Sequence, residues 1–392
     1  MTSNSDFLTQ MLKRLRSFRQ NAGLTTAEVE GRLIVGPGWV GGVEKGEIVP
    51  SLDMIASMLS VYNKTLEQLA EGAKDSVPHI ARSIESEASG NGLDINFQYS
   101  RFNATYHLEN ATQGEFDNVI KTLRDGLAQL SSLNIDKEKE KAIKTESVAK
   151  SFLTAVKLWP KANPSDIWWF IIYRAYCDQY NHPSEHSRLD FTQSWKRTGG
   201  WALERVLEMH YGNALAKHNI NLVIADGQRK ESLLANIKID GHRLEADKMD
   251  VLLTVGSGDA ERLIGVIHVK ASFAERRTDD VPMSQALVKA GYISPLWTMD
   301  CKSTPGENPK NRGELGRIFD SSGSTQRSAK RKDIEDDAYF SACFSYNKNT
   351  KPTPKNYPGK ARIIVCDFSN PDDAFTAFIV KERKRIRKEL QI

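Results

Sequence analysis

Cysteine, net charge and long apolar runs are all scarce in this chain, and each scarcity excludes something. Only four cysteines occur in 392 residues, Cys177, Cys301, Cys343 and Cys366, and no two form a C-x-x-C pair. Such spacing argues against a disulfide framework or a zinc knuckle and fits a reducing compartment. No apolar run approaches the roughly 18 residues that a membrane span needs. The opening MTSNSDFLTQMLKRLRSFRQ lacks the apolar core of a signal peptide. A cytoplasmic location is therefore expected. A net charge of +4 permits nucleic-acid binding without demanding it. Neither a Walker phosphate loop nor a G-x-S-x-G elbow is present, which removes two common catalytic classes.

What remains is an ordinary globular composition, 40% hydrophobic and 27% charged. The length exceeds what one core usually organises, so two or three domains are expected. Residues 7–72 read as a compact helical module. Leu8, Leu12, Leu15 and Phe18 recur at helical spacing; Gly23 ends that helix and Thr25 starts the next. A short segment runs from Pro37 to Glu44, and Lys45-Gly46 breaks it. Pro50-Ser51 then opens a helix carrying Met54, Ile55, Met58 and Leu59, before Leu66–Leu69 closes the set. Gly23-Leu24-Thr25, Glu44-Lys45-Gly46, Pro50-Ser51 and Leu66, in this order, resemble a Cro/repressor-type helix-turn-helix domain. The resemblance implies an all-α domain over residues 1–75. Base reading does not follow from it. The segment that would enter the major groove, Gly36-Pro37-Gly38-Trp39-Val40-Gly41-Gly42-Val43, offers almost nothing able to donate a bidentate hydrogen bond. Residues 1–75 also carry eight Lys and Arg against nine Asp and Glu, a poor footprint for phosphates. A dimerisation or packing module that has lost base readout is favoured.

Residues 76–145 read as a small hairpin-plus-helix insert and linker. Ile95, Phe97 and Tyr99, then Phe102, Ala104, Tyr106 and Leu108, alternate as strands do, and Val119, Leu123 and Leu127 follow at helical spacing. The charge run Asp136-Lys-Glu-Lys-Glu-Lys141 suggests an exposed helix or linker, with the main boundary near 132–145. Beyond it the Trp-rich stretch Leu158–Tyr173 reads as the core of a domain spanning 146–392.

Three pieces of that domain carry chemistry. Gly199-Gly200-Trp201-Ala202-Leu203-Glu204-Arg205-Val206-Leu207 is an amphipathic helix with one acid, Glu204, a turn inside its start. In Glu245-Ala-Asp247-Lys-Met-Asp250-Val-Leu-Leu-Thr-Val255, acids run into a β-branched strand and place Asp250 at its opening. Leu263-Ile-Gly-Val-Ile-His-Val-Lys270 is a second apolar strand ending on a lysine. An acid on one strand and a lysine on the next form the skeleton of a PD-(D/E)xK site. Phosphodiester hydrolysis needs a metal held by carboxylates, an attacking water and stabilisation of charge on the phosphorus oxygens. Asp250 suits Mg²⁺, a hard ion that prefers oxygen, and Lys270 suits the water or the phosphate.

After the lysine, Lys270-Ala-Ser272-Phe-Ala274-Glu275-Arg276-Arg277 resembles the K-x-S-x-A-E-R signature of type II restriction endonucleases of the CCGG group. The continuations Asp279-Asp280-Val-Pro282-Met-Ser284 and Gly291-Tyr-Ile-Ser294-Pro295-Leu-Trp-Thr298 are similar to that group as well, so the likeness spans roughly residues 190–320. It implies a mixed sheet flanked by helices and a Mg²⁺-dependent endonuclease acting on double-stranded DNA. By resemblance Arg276 reads guanine and Glu275 accepts from cytosine, as their hydrogen-bonding groups allow. Arg277 takes a second guanine or a phosphate. One position departs from the commonest motif: two residues before the lysine stands His268, a poor Mg²⁺ ligand, read as a core or supporting residue. Related enzymes supply the missing acid from the following helix, which leaves Glu204 or Asp280 as the second metal ligand beside Asp250.

Other motifs are set aside. His182-Pro-Ser-Glu185-His186 reads as a loop, Asn311-Arg312-Gly313-Glu314 as a turn or a DNA contact, and Lys381–Lys388 as the solvated face of a last helix. The resulting expectation is a restriction endonuclease cutting a palindrome with a CCGG core, such as TCCGGA. A palindrome demands a homodimer or higher even assembly. A cognate methyltransferase would act on the same site without a stable complex. The competing reading is a DNA-binding transcription regulator whose nuclease-like domain is inactive. In a third, the N-terminal module adds regulation of expression to an active enzyme.

Overall fold

The computed structural model describes residues 3–71, 84–99, 102–132, 135–183, 186, 191–225, 227–235, 237, 239, 249–273, 277–301, 311, 313–315 and 328–389. They fall into two compact units, residues 1–82 and 83–392.

The first unit is five helices: α1 Ser3–Asn21, α2 Thr26–Leu33, α3 Trp39–Lys45, α4 Leu52–Val61 and α5 Leu66–Glu71. Thr25 and Glu28 cap α2 reciprocally, and the Ser51 hydroxyl accepts from Met54 N at the start of α4. Leu12, Leu15, Val29, Val40, Val43, Met58, Leu59, Tyr62 and Leu69 form its core. Two of its acids are committed internally. Glu30, buried, accepts the Val40 N–H at 3.0 Å at the start of α3, and Glu44 takes a bidentate pair from Arg19 at 2.6 and 2.9 Å. Gly42 faces Ile48 so closely that a Cβ there would lie 2.8 Å from Ile48 Cδ1. Gly42 thus lets α3 nest against the following turn, whereas a Cβ at Gly41 would meet nothing within 4 Å.

The second unit begins with an antiparallel meander, β1 Ile84–Ser89, β2 Gly92–Tyr99 and β3 Phe102–Glu109, in register Ile95↔Tyr106. Then come α6 Gln113–Ala128, opened by a Thr112–Glu115 capping box, and α7 Lys137–Leu158. The charge run 136–141 is the N-cap and first turn of α7; from Ile143 onward the helix is largely buried. Leu93, Ile95, Phe116, Val119 and Leu123 share one core with Phe152, Trp168, Trp169 and Val251. Residues 83–145 therefore pack into the second unit and do not stand apart from it. Further along, α8 Pro164–Phe170 continues into one π-turn, Ile171–Ala175, and α9 Phe191–Ala216 follows.

The remaining elements build a six-stranded mixed sheet. In chain order they are β4 Ile220–Val223, α10 Gly227–Leu234, β5 Val251–Val255, β6 Arg262–Lys270, α11 Arg277–Lys289, β7 Leu296–Thr298, α12 Ala329–Glu335, β8 Cys343–Ser345, β9 Ile363–Val365 and α13 Ala374–Glu389. Strand order equals chain order, antiparallel from β4 to β6 and parallel from β6 to β9. Nearly every residue of β5 and β6 is buried, because both faces are covered, so these strands read as continuous apolar runs.

Candidate active site

The register of β5 on β6 decides where the chemistry sits. Val251 pairs with Ile267, so Asp250, one residue before β5, comes level with the end of β6. There Asp250 Oδ2 accepts the Val269 N–H at 2.8 Å, and Lys270 Nζ donates to both Asp250 oxygens at 3.1 and 2.7 Å. The expected position of Asp250 at the strand's opening and of Lys270 at the other strand's end are both observed.

Two further acids approach this pair. Asp280, on the first turn of α11, is buried and lies 3.5 Å from Lys270 Nζ through Oδ1. Glu204, on α9, is largely buried, and its carboxyl is pushed up to about 8. Burial is the main cause and the charge of Asp250 adds to it; the ammonium groups of Lys230, Lys270 and Lys141 pull the other way. Four elements thus bring Glu204, Asp250, Lys270 and Asp280 together from a stretch spanning 204 to 280. Lys230, which sequence reasoning missed, sits on α10 and donates to Met249 O at 2.5 Å, one residue before Asp250. Nothing in its local pattern marks it, since its role comes from where α10 docks.

His268 lies two residues before Lys270 and so on the same face of β6, fully buried with its ring edge-on to Phe340. Its Nε2 is 3.0 Å from Ser294 Oγ, and its Nδ1 faces Asp280 Oδ1 at 4.0 Å. Burial pushes its pKa down to about 4, so the ring is neutral. The end of β7 is fixed beside Lys270, with Met299 N donating to Lys270 O at 3.1 Å. Just beyond, buried Asp300 accepts the Glu314 and Leu315 N–H groups.

Of the residues expected to read bases, Glu275 and Arg276 lie outside the described residues. Arg277 opens α11, but its side chain is also outside them. In the segment 311–314, Asn311 and Gly313 adopt positive φ, and Arg312 lies outside the described residues. His182 is buried and donates from Nε2 to Tyr176 O, a structural bond. His186 faces Leu130 O at 3.2 Å. The basic run of α13 is partly engaged, Arg385 bonding Glu382 and Gly291 O and Arg383 bonding His218 O. A cavity of about 640 Å³ opens at the other end of β5, near Gly256 and Arg383, and is lined by none of the candidate residues.

The donor set at Asp250 fits a hard divalent cation. All three acids offer oxygen, and the raised Glu204 carboxyl marks a crowding of buried negative charge that a cation would relieve. Among the described residues no three His, Cys, Asp or Glu already form a metal cage. The group that Asp250 and Asp280 share is the Lys270 ammonium.

Residues 10–72 match the helix-turn-helix domain family. The type II restriction enzyme AgeI of Thalassovita gelatinovora is 36% identical over 252 residues, covering 62% of this chain and 86% of that enzyme. The crystal structure of the specific AgeI–DNA complex superposes with a TM-score of 0.61 at 32% identity, over 74% of this chain and 99% of that one. A pre-specific BsaWI–DNA complex aligns over 71% of this chain and 95% of that one at 16% identity and a TM-score of 0.33, too slight a likeness to bear on the site.

Proposed function

This chain belongs to the type II restriction endonucleases, the family of AgeI, and on that premise we propose that it cuts double-stranded DNA in a Mg²⁺-dependent reaction at a palindromic site with a CCGG core. Its mixed sheet is that of the PD-(D/E)xK nucleases, preceded by an all-α helix-turn-helix domain. The observation that carries the catalytic reading is the position of Lys270 Nζ, 2.7 Å from Asp250 and 3.5 Å from Asp280, beside the largely buried Glu204.

Asp250, Asp280 and Glu204 would hold Mg²⁺. Bound there, it would supply Lewis-acid stabilisation of the charge that develops on the phosphorus oxygens. The chain's own groups do the rest. Lys270 reaches the same space with three donors, suited to holding an attacking water or neutralising a phosphate oxygen. The Val269 N–H and the Lys230–Met249 bond fix the carboxylate of Asp250 and its backbone. The dry, apolar flanks of β5 and β6 strengthen each of these interactions. Glu275 and Arg276 would read cytosine and guanine, and Arg277 a second guanine or a phosphate, immediately after the strand that delivers Lys270.

A palindrome such as TCCGGA calls for two copies of this site related by a dyad, hence a homodimer or higher even assembly. A cognate methyltransferase would protect the same bases without a stable complex. In the helix-turn-helix unit, Glu30 and Glu44 are spent on internal contacts, and α3 presents glycine where base-reading side chains would stand. That favours packing or assembly over base recognition.

The direct test is digestion of one sequenced plasmid with and without Mg²⁺, with fragment ends mapped by sequencing. Ends confined to CCGG-containing sites, and only with Mg²⁺, are expected. Metal-independent cutting, or ends at sequences without CCGG, would refute the reading.

A further inference from the structure

Position 268 is where the commonest form of the motif carries an acid, yet here it holds a buried imidazole between a hydroxyl pair and Asp280. Ser284 and Asp280 stand one turn apart on α11 and face the same strand. Ser284 Oγ is 2.7 Å from Ser294 Oγ, and Ser294 Oγ is 3.0 Å from His268 Nε2. All three side chains are fully buried. His268 Nδ1 makes no hydrogen bond among the described residues and faces Asp280 Oδ1 at 4.0 Å. That distance is longer than a hydrogen bond but well within charge–dipole reach in a dry interior.

Electrostatics selects one arrangement of the protons. If Nε2 carried the proton, a lone pair on Nδ1 would face the Asp280 carboxylate with no water to screen it. The opposite arrangement removes that repulsion and gives each hydroxyl an acceptor. Ser284 donates to Ser294 Oγ, Ser294 donates to His268 Nε2, and the Nδ1–H dipole points at Asp280.

We propose that His268 is a positioning residue for the metal site, its tautomer fixed by the Ser284–Ser294 hydroxyl pair so that Nδ1–H holds Asp280 in place beside Lys270. The acid lost from the motif on β6 is thereby replaced by a donor that aims an acid arriving from α11. Outer partners of metal ligands orient them, and their loss typically costs about 10–100-fold in metal affinity. The proposal rests on reading Asp280 as a metal ligand, so its test must separate the two.

Two substitutions of nearly equal size divide the functions of the ring. His268→Asn keeps a donor near the Nδ1 position, facing Asp280; His268→Gln keeps one near Nε2, facing Ser294. The full-length protein would be measured in two ways. One is Ca²⁺-dependent tightening on a CCGG duplex, read by fluorescence anisotropy without cleavage. The other is the Mg²⁺ concentration giving half-maximal single-turnover cutting. His268→Gln should need about tenfold or more Mg²⁺ and weaken the Ca²⁺ response in proportion, while His268→Asn stays within about threefold of wild type. Metal-free DNA affinity should be unchanged in both. Ser294→Ala, which removes the donor to Nε2 without adding volume, should shift the Mg²⁺ requirement in the same direction as His268→Gln and serves if either ring variant misfolds. Equal impairment of the Asn and Gln variants would reduce His268 to packing and overturn the proposal. So would wild-type metal responses in all three variants. A wild-type Ca²⁺ response in Asp280→Ala would instead remove Asp280 from the metal shell, and the underlying reading would fail first.

Discussion

Glu204 gives a prediction with a calculable size. Its carboxyl titrates near 8 in the metal-free fold against an ordinary value of 4.5. The fold therefore keeps the proton in a range where the unfolded chain has already released it. Stability from this group is complete below about pH 4.5 and is lost as the pH rises through about 8. At about 1.36 kcal/mol per pH unit, and allowing for partial ionisation near pH 8, the loss between about pH 6 and pH 8 is about 2 kcal/mol. For a unit of this size that is roughly 3 °C in Tm. The assay is a thermal melt in chelator at the two pH values, comparing wild type with Glu204→Gln, whose amide cannot ionise. Wild type should lose about 3 °C more than the variant across that interval, and millimolar Mg²⁺ should restore part of the loss in wild type alone. Parallel pH profiles for the two proteins would show that Glu204 is not buried against Asp250, and the acid cluster as described would fall.

Other outcomes follow from the same geometry. His182, His210 and His268 are each held near 4 by burial. Their contribution is complete above about pH 6.5 and is lost as the pH falls toward 4, so the urea midpoint of Glu204→Gln, which lacks the opposing gain from Glu204, should drop between pH 7 and pH 5. An unchanged midpoint would contradict their burial. Arg276→Ala should lose roughly 1–3 kcal/mol of discrimination at one guanine, read by competition between a CCGG duplex and single-base variants at fixed salt. An unaltered preference ratio would make it a phosphate contact. Removing residues 1–75 should spare cleavage at CCGG while changing assembly or affinity; loss of site choice with the second unit still folded would show that the module reads bases.

How much of this was legible in the sequence depended on range. The meander over Ile95–Leu108, the capped helices at Thr25 and Ser51, and Asp250 and Lys270 at strand ends all rest on neighbouring residues, where period and capping are direct physical signals. The charge run at 136–141 is exposed helix, as its pattern suggests, but it is only the beginning of a 22-residue helix whose later turns are buried. Strands β7, β8 and β9 are three residues each, and β7 and β8 are buried on both faces, so they show too little length or alternation to be read. The partnership of Glu204 with Asp250, the tether from Lys230 and the hydroxyl pair behind His268 are products of tertiary docking. Sequence named Glu204 and Asp280 as alternatives, whereas the fold brings both to Lys270.

The central claim is that Asp250 and Lys270 perform the cut without providing the affinity for DNA. It is tested most directly by single-turnover cleavage of an end-labelled CCGG duplex, with binding of the same duplex measured in chelator, without divalent metal. Asp250→Asn and Lys270→Met should each lower the cleavage rate by about 10²–10⁴-fold or more, while binding remains within a few-fold of wild type. Wild-type cleavage by either variant would place the active site elsewhere. Tight binding with no cleavage by the unaltered protein in Mg²⁺ would instead make it a DNA-binding regulator on a nuclease fold.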